Sequence, residues 1–326
     1  MARRLTFDGY DGSRPVALPG VPGPVRGAGR AHSLARTLEI ALKHAGLSLG
    51  YDAIMGLSGL AFRTPPWPDP PALTAEDATG ATDALSKALG DCFTLHGGDA
   101  AADEARVLDM VAASISDGRP CVALGWGSDK DHWSLIAGYD RGKNRLIGHS
   151  LLDTPREQYE SWPPAVDVLV VITALPSPRG PEAVSAALQT GAQRWSDQGL
   201  ERYGRWIDEI ESLDAPPDTR HERAVELLAD ARASAASFAD QIAELERQTP
   251  AAWLVRAAEH WREVVMLLEA RGVPGSPEAM AALETADRRS DWAGVLRAAA
   301  EHEAQAASAV RLSASADYLP EEAARW

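Results

Sequence analysis

The sequence predicts an α+β fold that passes, near residue 178, into an all-α bundle. Three observations lead there. Four strand-like segments follow two helical ones. Two of those strands are joined by a short Gly-containing loop that reads as an antiparallel hairpin, and beyond Pro181 the apolar residues recur almost only at helical spacing. The expected division is 1–178 for a helix followed by an antiparallel sheet, and 179–326 for a helical bundle.

The first helix is "HSLARTLEIALKHAG". Ser33 is a good N-cap, Leu34, Leu38, Ala41, Leu42 and Ala45 form an apolar stripe, and Gly46 suits the position after the last turn. A second helix, over about 103–117, ends at "DGRP". The strand candidates are "CVALGW" (121–126), "HWSLIAGYD" (132–140), "RLIGHSLL" (145–152) and "VDVLVVITA" (166–174), with "RGKN" closing the hairpin between the second and third. Pro176, Pro178, Gly180 and Pro181 then keep the last strand from running into a helix, which marks a linker. In the second half Leu228, Ala231, Ala235, Phe238, Ile242 and Leu245 recur in steps of three and four, the seam of a helix packed on a helix. Leu254, Ala258, Trp261, Val265 and Leu268 repeat that pattern, and a weaker stripe covers about 291–312. Pro216, Pro250, Pro274 and Pro277 are expected at turns, and Trp195, Trp206, Trp253, Trp261 and Trp292 as core anchors.

With 326 residues, 45% of them hydrophobic, the chain can bury a sizeable core. Its net charge of −15 is uneven: residues 1–180 carry 17 Lys and Arg against 21 Asp and Glu, residues 181–326 carry 15 against 26. That balance argues against nucleic acid and anionic membrane surfaces as partners and suits a cationic small molecule or peptide. Cys92 and Cys121 have no partner at metal-ligand or redox spacing and read as reduced core residues. The basic start, "MARRLTFDGYDG", has no apolar stretch behind it, and the most apolar run, ending at Leu175, is too short to span a bilayer, so a cytoplasmic protein is expected.

A nucleophile at the start of a helix sits where unpaired N–H groups and the macrodipole lower the cost of negative charge, and a neighbouring imidazole can take its proton. Ser33 holds the first position here, and His132, at a strand start, offers the second. The bland readings stand beside these: Ser33 as a plain N-cap, His132 as a strand-start histidine capped by Asp129 or Asp131, His149 as a half-buried strand residue. A metal set of Asp129, Asp131, His132 and His149 has the right ligand types at no recognised spacing. "GLSGL" at 56–60 is not a nucleophile elbow, since Leu60 stands where that motif needs Gly.

"HSLARTLEIALKHAG", then "YDAIMGLSGLAFR", and much later "DHWSLIAGYD" together resemble the papain-like cysteine peptidase fold in its C39-like branch, and within it the butirosin biosynthesis protein H N-terminal-like family. The resemblance covers about residues 25–175, with a looser likeness in "GLERYGRWIDEIE" and "AAEHEAQAASAV" of the helical half. It implies an acyl group moved from a carrier to an amine acceptor, and no cofactor. This chain departs from the pattern at three points. The catalytic cysteine falls on Ser33, whose hydroxyl a thiolate–imidazolium site does not activate automatically. The histidine is kept as His132. The Asp or Asn that orients it falls near His149 or Ser150, with Asp153 the nearest carboxylate, and the oxyanion Gln has no counterpart, leaving Arg26 or Arg30 as substitutes.

Around that site Phe62, Trp67 and Trp126 are expected to wall a ligand cleft. Simple strand alternation would put His132, Ser134, Ile136 and Gly138 on one face, and Trp133, Leu135, Ala137 and Tyr139 on the other. Three functions follow: a pseudoenzyme binding a small molecule or peptide in the altered cleft, a serine acyltransferase or hydrolase using Ser33 and His132 with an acyl carrier as partner, or a module whose helical half drives homo-oligomerisation.

Overall fold

The computed structural model describes residues 14–24, 30–65, 75–128, 130–150, 159–177, 180–212, 219–245, 249–270 and 284–315. Arg26, Trp67, Asp129 and Asp153 lie outside these. In chain order the strands are β1 (Val16–Ala17), β2 (Phe93–Gly97), β3 (Cys121–Leu124), β4 (Ser134–Asp140), β5 (Arg145–His149), β6 (Glu160–Trp162) and β7 (Val168–Ile172). The helices are α1 (Ser33–His44), α2 (Tyr51–Leu57), α3 (Ala75–Ala88), α4 (Asp99–Ala102), α5 (Glu104–Ser116), α6 (Pro181–Arg194), α7 (Leu200–Ser212), α8 (Thr219–Leu245), α9 (Thr249–Glu269) and α10 (Ala286–Ser315). The protein is a mixture of helix and antiparallel sheet, an α+β architecture. No helix among the described residues is long and apolar enough to cross a membrane.

The elements fall into two compact units, which are not simply the two halves of the sequence. The first draws on the described residues within 1–26, 36–48 and 92–175, the second on those within 27–35, 49–91 and 176–326. The described residues within 27–35 and 49–91 thus group with the helical unit.

The first unit is built on one sheet, ordered β2-β7-β3-β4-β5-β6, with β1 pairing β4 beyond the end of β3. Every pairing is antiparallel. The β4–β5 hairpin turns through residues 141–144, where Asn144 takes a left-handed φ of 51° and the Asp140 side chain accepts the Lys143 N–H at 3.0 Å. Helix α5 starts because Asp103 accepts the Ala105 and Arg106 N–H groups, each at 3.1 Å. Its buried face, with Val107, Val111 and Ile115, packs on Cys121, Ala123, Ile136, Leu169 and Val171. Each such fully buried aliphatic side chain contributes about 1.5–3 kcal/mol.

One alternation expected of β4 fails. Ile136 pairs with Gly148 and Gly138 with Ile147, so Ala137 is an extra residue on β4. A bulge of this kind reverses the side-chain parity that follows it. Ile136 and Tyr139, expected on opposite faces, therefore join the same apolar cluster under α5.

The second unit is helical. The seam residues Leu228, Ala231, Ala235, Phe238 and Ile242 of α8 are all buried, as are Leu254, Ala258, Trp261 and Leu268 of α9. Trp195, Trp206, Trp261 and Trp292 are buried core residues, whereas Trp253 is half-buried. Pro250 stands in the first turn of α9 rather than in a turn between helices, a position where its missing N–H costs nothing. The unit also buries charge. Arg232 of α8, 0% exposed, is ion-paired to Glu303 of α10 and donates to the carbonyls of Ala61 (2.8 Å) and Arg63 (3.0 Å), while the Tyr203 hydroxyl donates to Glu303 at 3.2 Å. With so many partners the guanidinium and carboxylate keep hydrogen bonds in place of the water they lose.

Candidate functional site

Ser33 is the first residue of α1, preceded by the buried His32. The segment leading into the helix is held by side chains of its own, helical unit. The His32 N–H donates to the Tyr51 hydroxyl oxygen at 3.0 Å, and the Tyr51 hydroxyl donates onward to Asp230 Oδ2 at 2.5 Å. Arg223 of α8 donates to the Ala31 carbonyl at 3.2 Å, and the Arg30 guanidinium lies over the Tyr51 ring, 5.7 Å from its centroid. The N–H groups of Ala31 and His32 lie close enough to Asp230 to favour its charged form, although neither completes a hydrogen bond of good geometry to Oδ1.

Asp230 therefore stands at the electropositive end of α1. Burial pushes its carboxyl up to about 6, against the opposing pull of the Tyr51 hydroxyl and the two N–H groups. The same surroundings push the Tyr51 hydroxyl far above its ordinary range, through burial first and the Asp230 charge second. His32 is pushed down to about 3, by burial and then by the Arg63, Arg223 and Arg232 guanidiniums, so its imidazole is neutral. Neither Tyr51 nor Asp230 is singled out by the sequence pattern. The one signal available was polar interruption of the α8 stripe at Asp230 and, one turn on, Ser234, whose hydroxyl donates to Asp52 of α2 at 2.9 Å.

The remaining candidates of this unit make packing contacts. Arg30 serves Tyr51, as described. Phe62 is buried, with its ring 5.4 Å from Trp261 and 6.4 Å from Phe238, and it lines a small cavity of the helical unit with Trp195 and Trp261. In "GLSGL", Ser58 closes a local turn, donating to Met55 O at 3.2 Å and accepting the Leu60 N–H at 3.3 Å. Gly56 is a close-approach glycine, since a Cβ there would overlap the Phe238 ring.

In the first unit His132 lies in the bend two residues before β4 and is half-buried. Trp133 is buried, and Ser134 donates to the Trp126 carbonyl at 3.1 Å. Trp126, expected to face a ligand, is 1% exposed and packs in the cluster beneath α5, so its indole has no surface open for stacking. His149 ends β5 opposite Leu135. Its Nε2 contacts the Val21 carbonyl at 3.3 Å, which fixes the proton on Nε2 because a carbonyl only accepts. The ring packs on Tyr159, with centroids 4.7 Å apart, and over Gly23, where a Cβ would come within 3.2 Å of Nδ1. Burial lowers the His149 pKa, with the Val21 carbonyl and Glu160 opposing. His149 thus anchors the segment around Val21 to the sheet.

Both cysteines are buried, and burial pushes the Cys121 thiol up to about 12, where it is chemically inert. Among the described residues no group of three or more His, Cys, Asp or Glu is placed to hold a metal ion. No family model matches the chain, and no curated protein matches it in sequence.

Proposed function

We propose that the protein is a catalytically altered relative of the papain-like, C39-like proteins that binds a small molecule or peptide, with cationic ligands favoured by its net charge of −15. The observation that carries this reading is the occupation of the α1 N-terminus. In the family that this sequence resembles, the positive end of the helix stabilises a thiolate; here the residue is Ser33, and the buried carboxylate of Asp230 stands at that end of the helix. A second anion formed on Ser33 would be opposed by the first. The position the family gives to an imidazole-orienting acid agrees with this, since His149 spends its Nε2–H on Val21 and offers no carboxylate.

A fluorophosphonate probe tests the proposal on the intact chain. Under the binding reading, mass spectrometry finds no stoichiometric label on Ser33, and thermal-shift screening against amines and basic peptides finds a ligand whose stabilisation saturates. Stoichiometric labelling that vanishes in Ser33→Ala overturns it in favour of a serine acyltransferase or hydrolase with His132 as base.

A further inference from the structure

A small, partly enclosed cavity in the helical unit has no role in the site above. Its walls include three rings, those of Phe62, of Trp195 just after α6 and of Trp261 of α9, together with Glu303 and Val310 of α10. Phe62 and Trp261 form a corner, tilted 43° with centroids 5.4 Å apart. Glycines seat two of the rings. A Cβ on Gly191 would overlap the Phe62 ring and one on Gly199 the Trp195 ring, and Trp195–Gly199 is wound as a π-helix, a local distortion that recurs at functional sites. Glu303 supplies the polar end. It is 3% exposed, and the bonds it accepts from the Arg232 guanidinium and the Tyr203 hydroxyl both fall on Oε1. Among the described residues no donor meets Oε2. A buried carboxylate oxygen without a partner is costly, and the cavity is where a donor from outside the chain can reach it.

We propose that this cavity seats the ammonium head of a small primary amine, with one N–H donated to Glu303 Oε2 and the positive charge held among the Phe62, Trp195 and Trp261 rings. The space admits about one water-sized group, which fits an ammonium head and excludes a trimethylated one, so the alkyl body of the ligand leads outward. The rings decide the charge of the occupant. Oε2 can accept from an alcohol as well as from an amine, but the negative faces of the rings attract only the cation. Arg232, ion-paired to Glu303, opposes a second positive charge, and it approaches the carboxylate through Oε1 rather than Oε2. The acidic excess over residues 181–326, 26 Asp and Glu against 15 Lys and Arg, draws cations toward this part of the chain. The site rests on the binding reading only for its preference for cations: labelling of Ser33 would leave it standing, and its own failure would leave the Ser33 result untouched.

The test uses the full chain and n-butylammonium chloride at constant ionic strength, read by saturation-transfer NMR and by tryptophan fluorescence. Binding should saturate in the millimolar range expected of so small a ligand, and be about tenfold or more tighter than that of n-butanol. Tetramethylammonium should not compete. Val310→Phe fills the cavity and should abolish binding with the circular dichroism of the folded chain retained; Ala307→Val is the smaller filling to use if that variant does not fold. Arg232→Met combined with Glu303→Gln removes the carboxylate without stranding the guanidinium, and should weaken amine binding about tenfold. No saturable amine binding, equal affinity for butanol, or binding that both the filled and the double variant leave unchanged overturns the proposal; the first outcome leaves the cavity to water, the second makes it a pocket indifferent to charge, and the third places the amine elsewhere.

Discussion

Tyr51 and Asp230, 179 positions apart in the sequence, meet through a hydroxyl–carboxylate hydrogen bond of 2.5 Å, and the Tyr51 oxygen in turn receives the His32 N–H just ahead of α1. The short helix α2, the bundle helix α8 and the entry to the first helix are thereby tied at one buried point. Hydrogen bonds to charged groups contribute about 1.5–3 kcal/mol, and losing one partner leaves the other desolvated. Tyr51→Phe is expected to destabilise the protein by about that amount in urea unfolding. Exchange of the His32 amide should accelerate alongside, because the substitution also removes its acceptor.

Asp230 gives the same network a pH signature. Its folded pKa, about 6, lies above the ordinary 3.8, so between these values the folded chain binds more protons than the unfolded one. The contribution is therefore fully present below about pH 4 and is lost as pH rises through about 6. Asp230→Asn removes it while keeping an acceptor for Tyr51. The stability of wild type relative to this variant should rise by up to about 3 kcal/mol as pH falls from 7 to 4. A flat difference across that range would mean that Asp230 is solvated.

His149 works in the opposite sense. Its pKa is lowered from 6.5 by burial, so the unfolded chain takes up the proton first. The stability it confers is complete above about 6.5 and is lost as pH falls below it. His149→Ala removes a ring packed on Tyr159 and the bond to Val21, at an expected cost of about 2–4 kcal/mol. Its equilibrium unfolding should also show a weaker dependence on pH between 5 and 7 than that of wild type.

The buried Arg232–Glu303 pair is expected to behave non-additively. Arg232→Met or Glu303→Gln alone strands the other charge in the helical core, at about 3–5 kcal/mol each. The double replacement should cost much less than the sum, and a double-mutant cycle measures the difference.

The local grammar of the chain was legible where one residue type decides the geometry. The 33–44 helix, the "RGKN" hairpin and the α8 and α9 stripes all follow from spacing and turn chemistry. Strand β2 escaped notice because Phe93–Gly97 lacks a period-two pattern, being half-buried at every position. The Ala137 bulge has no local signature at all, and it alone reverses the expected facing of Tyr139. The aromatics show the same limit. Phe62 and Trp126 are as apolar as a cleft wall requires, but whether a ring faces a ligand or a helix is set by neighbours distant in sequence, Phe238 and Trp261 for the first and the α5 face for the second. Asp230 is the converse case: a charged residue on an apolar stripe, whose partner Tyr51 no spacing rule could supply.

Ser33→Cys restores the thiol that the family resemblance places at the head of α1, and so probes what that helix end can still do. A helix N-terminus and an aligned imidazole ordinarily bring a cysteine well below its free value of about 8.5. Asp230, mostly ionised at neutral pH, opposes that shift from the same end of the helix. The introduced thiol is therefore expected to react with iodoacetamide along a pH profile whose midpoint is at or above about 8.5. Background should be low, since Cys92 and Cys121 are both buried. Adding Asp230→Asn should move the midpoint downward. A midpoint below about 7 with Asp230 intact would reveal a working thiolate–imidazolium pair, and the binding reading would give way to a catalytic one.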